Sequence, residues 1–172
     1  MQELIIIAGP NGAGKTTFAN EYLPAARKGL AFINADEIAR ELLVSQPPLR
    51  AIEFHAGRMM LERIDAVVQA RQELMFETTL ASLAYAQKIP HWQAAGYSVA
   101  LIYLKLANVE ASIARVRRRV EAGGHDIPEN TIRRRFKKSL DYLERIYKPI
   151  VNERSIWESL EGDFELLQAW DD

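Results

Sequence analysis

The sequence predicts an α/β fold: a five-stranded, mostly parallel sheet with helices packed on both faces. Three observations predict it. Short apolar runs alternate with longer amphipathic stretches throughout residues 1–172, which read as a single domain. The strongest runs, Leu4-Ile5-Ile6-Ile7-Ala8 and Val99-Ala100-Leu101-Ile102-Tyr103-Leu104, are continuous rather than alternating, as in strands buried on both faces. Three runs also end in polar clusters, Gly9 to Thr16, Asn34 to Glu37 and Glu77 to Thr79, and parallel sheets gather ligands at the carboxyl ends of their strands.

Taken in order, Glu3 to Ala8 is the first strand, and Lys15 to Leu23 is a helix stopped by Pro24. Leu30 to Asn34 is a short second strand, and Pro47-Pro48 breaks the chain before a long amphipathic helix from about Leu49 to Gln72. Leu74 to Glu77 is the third strand, Ala84 to Ala95 a helix ended by Gly96, and Tyr97 to Leu106 the fourth strand. Two helices flank Gly123-Gly124, and a weak fifth strand lies near Ser155 to Leu160.

Composition narrows the function classes. Of 172 residues, 48% are apolar and 26% charged, the ordinary mix of a globular domain with a real core. The net charge of −1 gives no global field for polyanions and argues against nucleic acid as the main partner. The absence of cysteine excludes disulfides, thiolate metal sites and a cysteine nucleophile, and fits a reducing cytosol. The N-terminal apolar run has no basic flank and is too short for a signal peptide or membrane span, so a soluble cytoplasmic protein is expected.

Gly9-Pro10-Asn11-Gly12-Ala13-Gly14-Lys15-Thr16 matches G-x-x-x-x-G-K-[ST] in full, between a strand and a helix. The glycines let backbone N–H groups turn toward phosphate oxygens, assisted by the start of the following helix. Lys15 is expected to reach the β- and γ-phosphates of ATP, and the Thr16 hydroxyl to ligate Mg²⁺. The apolar strand that would end in a magnesium-binding Asp runs instead into Lys105, so that element is missing or displaced. Asp36 and Glu77, each at a strand end, remain as carboxylates able to accept an acceptor's hydroxyl proton or to hold magnesium through water. Asp36 also suits a helix cap, and Glu37 beside it suits the first turn of that helix.

Seven arginines lie between Arg115 and Phe136. Arg115, Arg118 and Arg119 share one helix face, with Val116 and Val120 on another. Gly123-Gly124 suits a left-handed helix cap, and Asp126 with Glu129 resembles a capping box ahead of the helix that carries Arg133, Arg134 and Arg135. Two arginine-bearing helices about a glycine turn predict a lid, about residues 108–140, whose guanidinium forks stabilise charge on a transferring phosphoryl group. His125, at the turn, is a candidate for substrate contact.

Together AGPNGAGKTT, NADEIA, ETTLAS and RVRRRVEAGGHDIPENTIRRRF resemble the zeta-toxin-like group of P-loop kinases over about residues 4–140. The resemblance implies a kinase-type sheet of five strands, ATP with Mg²⁺, and phosphoryl transfer to a sugar hydroxyl. In the characterised toxins the acceptor is UDP-N-acetylglucosamine, and an antitoxin protein is a partner. It further implies that Gly9 to Thr17 binds the nucleotide, that Asp36, placed 21 residues after Lys15, is the general base, and that Glu77 and Thr78 lie at the substrate-binding strand end. Arg115, Arg119 and Arg134 match the lid arginines that bind phosphates. The reading to test is therefore an ATP- and Mg²⁺-dependent kinase acting on a small hydroxyl-bearing molecule. Its alternatives are a nucleic-acid end kinase and a nucleotide-binding toxin–antitoxin or switch protein without turnover.

Overall fold

In the computed structural model, β1 (Gln2–Ala8) lies at the heart of a sheet ordered β2-β3-β1-β4-β5-β6. The structure describes residues 1–22, 30–44 and 49–171, apart from the side chains at 36, 39, 40, 43, 44, 49–53 and 171. The expected breaks at Pro24 and Pro47-Pro48 lie outside the described residues. The remaining strands are β2 (Ala31–Ile33), β3 (Leu74–Thr78), β4 (Tyr97–Lys105), β5 (Glu153–Ser159) and β6 (Phe164–Asp171). The helices are α1 (Lys15–Glu21), α2 (Ala35–Val44), α3 (Leu49–Gln69), α4 (Ala84–Ala94), α5 (Val109–Glu121) and α6 (Glu129–Tyr142), the last running into a π-helical turn at Leu143–Tyr147.

β1 pairs in parallel with β3 and β4 and has no exposed face. Leu4, Ile6 and Ala8 point into one core with Phe76, Trp92, Leu101 and Tyr147, while Ile5 and Ile7 point into the other with Phe18, Met75, Ile102 and Leu104. This is why its sequence is continuously apolar: both sides of the pleat are dry.

The sheet has six strands rather than five. β6 turns back antiparallel on β5 through a tight turn closed by Leu160 N–H to Asp163 O, at 3.0 Å, with Gly162 at φ 80°. The segment hides from pattern reading because it is an edge strand with Leu166 and Leu167 both exposed, so no clean apolar alternation marks it. What anchors the hairpin is aromatic. Phe18, on α1, meets Tyr22, Trp157 and Phe164 with ring centroids 5.5, 5.1 and 5.1 Å away.

The arginine-bearing helices pack on each other through Ile113, Val116 and Ile132. Asn108 caps α5, its side chain accepting from Ala111 N–H at 2.9 Å. At the other end Gly123, at φ 91°, turns the chain so that Gly124 N–H reaches Arg119 O and Gly123 N–H reaches Val120 O, a Schellman closure as expected. The expected capping box does not form. The residue preceding α6 is Pro128, no side chain caps it, and Asp126 is exposed. Glu129 instead accepts from Arg133 and Arg117, because two guanidinium groups compete for it against a single backbone N–H.

Two outcomes follow from this packing. Phe18→Ala removes the centre of the aromatic cluster and is expected to cost about 3–5 kcal/mol in urea unfolding. The hydrogen bonds from Arg133 hold the Glu110 and Glu129 carboxyls below their ordinary range. Depressed carboxylates support the folded state above the unfolded value, near about 4.3, and lose that support as pH falls through the folded value. Amide protection in α5 and α6, taken relative to intrinsic exchange at each pH, is therefore expected to fall between about pH 5 and 3, and Arg133→Met to flatten that response.

Candidate nucleotide and phosphoryl-transfer site

The loop between β1 and α1 leaves the sheet at its carboxyl edge, bordered by β3 on one side and β4 on the other. Gly9 sits at φ 151°, and a Cβ there would stand 2.5 Å from Leu104 O on the neighbouring strand. Gly12, at φ 79°, carries α5 so close that a Cβ would meet the Arg115 Cβ at 2.8 Å. Both positions therefore require glycine, and the loop packs directly against β4 and α5.

Lys15 curls over this loop, its Nζ donating to Gly9 O at 3.0 Å and to Pro10 O at 3.2 Å. The Thr16 hydroxyl donates to Glu77 Oε2 at 2.9 Å, and Glu77 is only 7% exposed. β4 ends in Lys105, but β3, the other neighbour of β1, carries Glu77 one residue before its end and delivers a buried carboxylate to the hydroxyl of the phosphate loop.

Thr78, next on β3, is tied up in the local architecture. Its carbonyl accepts from Gly9 N–H at 3.2 Å, and its hydroxyl oxygen accepts from Leu80 N–H at 3.0 Å. The Tyr85 hydroxyl donates to Met60 Sδ at 3.3 Å, and burial pushes the phenol up to about 12, so that it stays protonated. Leu80 stands at φ 62°, an unusual backbone state for a non-glycine residue, two positions beyond the strand end.

β2 ends at Ile33 in register with Phe76, so Asn34, Ala35 and Asp36 leave the sheet at the level where Glu77 leaves β3. Asp36 is the second residue of α2, and its side chain lies outside the described residues. Glu37 and Thr17 are exposed on α2 and α1.

The arginines divide into distinct environments. Arg115 donates from Nη1 to Gly12 O at 3.3 Å and Ser159 Oγ at 2.7 Å, and from Nη2 to Ser159 O at 3.0 Å and Leu160 O at 2.9 Å. Burial pulls its guanidinium pKa down. Arg118 pairs with Glu161 at 2.6 Å, Arg117 with Glu129 at 3.0 Å, and Arg133 with Glu110 at 3.0 Å and Glu129 at 2.8 Å. Arg119 donates to His125 O at 3.2 Å across the glycine turn, while its buried Nε has no partner. Arg134 is exposed and makes no ion pair among the described residues, and His125 is likewise exposed.

The structure thus brings together Gly9 to Thr16, Glu77, Thr78 and Arg115. Arg119, Arg134 and His125 are carried on the α5–α6 unit. Pattern reading overlooked Ser112 and Ser159, both buried and hydrogen-bonded to Asn11 O and Ala13 O. Ser112 carries a faint signal, one turn ahead of Arg115 on α5. Ser159 carries none.

An uncharacterized protein of Haemophilus influenzae (strain ATCC 51907 / DSM 11121 / KW20 / Rd) is 29% identical over 132 residues, 77% of this chain and 91% of that protein. The PezAT chromosomal toxin–antitoxin system of Streptococcus pneumoniae superposes with a TM-score of 0.69 at 18% identity, over 98% of this chain and 72% of that one. AvrRxo1-ORF1:-ORF2 with ATP gives 0.72 at 15% identity, over 98% and 58%. The Pnkp1/Rnl/Hen1 RNA repair complex gives 0.66 at 21%, over 84% and 46%. The chain spans between about half and three-quarters of these solved chains, and at such identities the likeness is one of fold. The zeta toxin profile matches residues 2–157, nearly the whole length, and the chain belongs to the zeta toxin family.

Proposed function

We propose that this protein is an ATP- and Mg²⁺-dependent kinase that phosphorylates a hydroxyl of a small molecule, with a nucleotide sugar such as UDP-N-acetylglucosamine as the acceptor class. The observation that carries the reading is the 2.9 Å hydrogen bond from Thr16 to the buried Glu77 carboxylate at the foot of a complete phosphate loop. A hydroxyl and a carboxylate so placed fit a magnesium ion, the hydroxyl as direct ligand and the carboxylate through water. Bound there, the ion would neutralise charge on the phosphate oxygens.

The chain's own residues supply the rest. Lys15, already pointing across the loop at two carbonyls, exchanges them for phosphate oxygens. Asp36, at the start of α2, accepts the acceptor's hydroxyl proton as its oxygen bonds to the γ-phosphorus and the bond to the bridging oxygen of ADP breaks. Arg119 and Arg134 approach from the α5–α6 unit to meet charge on the transferring group, and His125 and Glu37 line the acceptor's approach. Arg115 acts on the nucleotide through the loop carbonyl it holds. An inhibitory partner protein that covers the phosphate loop is consistent with the toxin–antitoxin complexes that share this fold.

Incubation with ATP, Mg²⁺ and a panel of nucleotide sugars, read by mass spectrometry, is expected to yield a product gaining one phosphate. Absence of acceptor-dependent ADP formation across the panel, in protein that still binds nucleotide, would remove the kinase reading. Lys15→Ala and Asp36→Asn are each expected to lower turnover at least ~100-fold. Glu77→Gln is expected to raise the Mg²⁺ concentration for half-maximal rate by about 10- to 100-fold, and chelation of Mg²⁺ to abolish the reaction.

A further inference from the structure

The outer side of the phosphate loop is wired more heavily than phosphate contact alone requires. Ser112, fully buried on α5, donates to Asn11 O at 2.5 Å. Ser159, the last residue of β5 and 5% exposed, donates to Ala13 O at 2.8 Å. Arg115 bonds the carbonyl between them, Gly12 O, and also the Ser159 hydroxyl. Three consecutive carbonyls are therefore held from outside by two elements remote in sequence.

A planar trans peptide points its N–H opposite to its C=O, and no cis bond occurs among the described residues. Holding Asn11 O outward therefore aims the Gly12 N–H inward, and holding Ala13 O outward aims the Gly14 N–H inward. Among the described residues neither of these amides donates to a backbone carbonyl, whereas the amide between them, Ala13 N–H, closes a turn on Pro10 O at 3.1 Å. The two amides left over share their peptide planes with the two carbonyls that buried serines hold.

We propose that Ser112 and Ser159 are positioning residues for the nucleotide: they aim the Gly12 and Gly14 amides at its phosphates and make the β5–β6 hairpin part of the binding site. The inference rests on the nucleotide-binding half of the function proposed above and not on the acceptor or on phosphoryl transfer. Without the serine hydroxyl the peptide plane rotates freely, and each binding event must order it again.

The test is titration with a fluorescent ATP analogue and with inorganic triphosphate, well below the melting temperature of every protein used. Ser112→Ala and Ser159→Ala are each expected to bind about 5- to 10-fold more weakly, the loss of one hydrogen bond, while Ser159→Thr, which keeps the hydroxyl, binds like the parent. Lys15→Ala marks complete loss of the site. Serines that only pack would lower the melting temperature and leave affinity unchanged. Alanine variants that bind triphosphate within twofold of the parent, alongside a Lys15→Ala that does not bind, would overturn the inference and spare the functional reading. A parent chain that binds neither probe would overturn both. Should the alanine variants not fold, amide spectra of the parent decide. Triphosphate is expected to shift the Gly12 and Gly14 resonances well beyond Ala13, and equal or absent shifts at the three would refute the assignment.

Discussion

A loop that turns its amides toward an anion must put its carbonyls somewhere, and this constraint organises the whole carboxyl edge of the sheet. Buried carbonyls without donors are costly. Here the carbonyls of Gly9 and Pro10 go to Lys15, and those of Asn11, Gly12 and Ala13 go to Ser112, Arg115 and Ser159. α5 approaches as closely as Gly12 permits because it carries two of those donors, and β5 ends where it does because its last side chain is a third. The glycines permit the loop, while serine and arginine hold it in place.

The same accounting changes how the arginine-rich stretch reads. Arg117, Arg118 and Arg133 face glutamates and Arg115 faces carbonyls, so these four of the seven guanidinium groups are engaged within the fold. Exposed pairs of this kind contribute little to stability, but they orient α6 against α5 and leave Arg134 as a cation without an ion pair among the described residues. A stripe that looks in sequence like a surface for a long polyanion has three of its seven arginines paired with glutamate and a fourth turned onto backbone carbonyls.

Much of this was legible in the sequence, for definite reasons. β1 announced itself because both its faces are buried, and the phosphate loop because its mechanism demands a fixed spacing of glycine, lysine and threonine. Glu77 was visible as a strand-end acid, but its place beside Thr16 depends on strand order, which local pattern does not encode. β6 escaped because a half-solvated edge strand leaves no periodic signature. Asp126 misled because a good capping sequence lost to a stronger ionic competitor for Glu129. Ser159 was invisible because a lone serine acquires meaning only from the carbonyl it meets.

Ser159 meets Ala13 across 146 residues of chain, and Arg115 meets Gly12 across 103. Contacts so distant in sequence close late, since loop-closure entropy must be overcome before they contribute. The glycine-lysine-threonine motif is local in sequence, yet the side chains that hold the Asn11, Gly12 and Ala13 carbonyls come from α5 and β5. A ligand at this loop would therefore stabilise the packing of α5 and β5 together with the loop, not the motif alone.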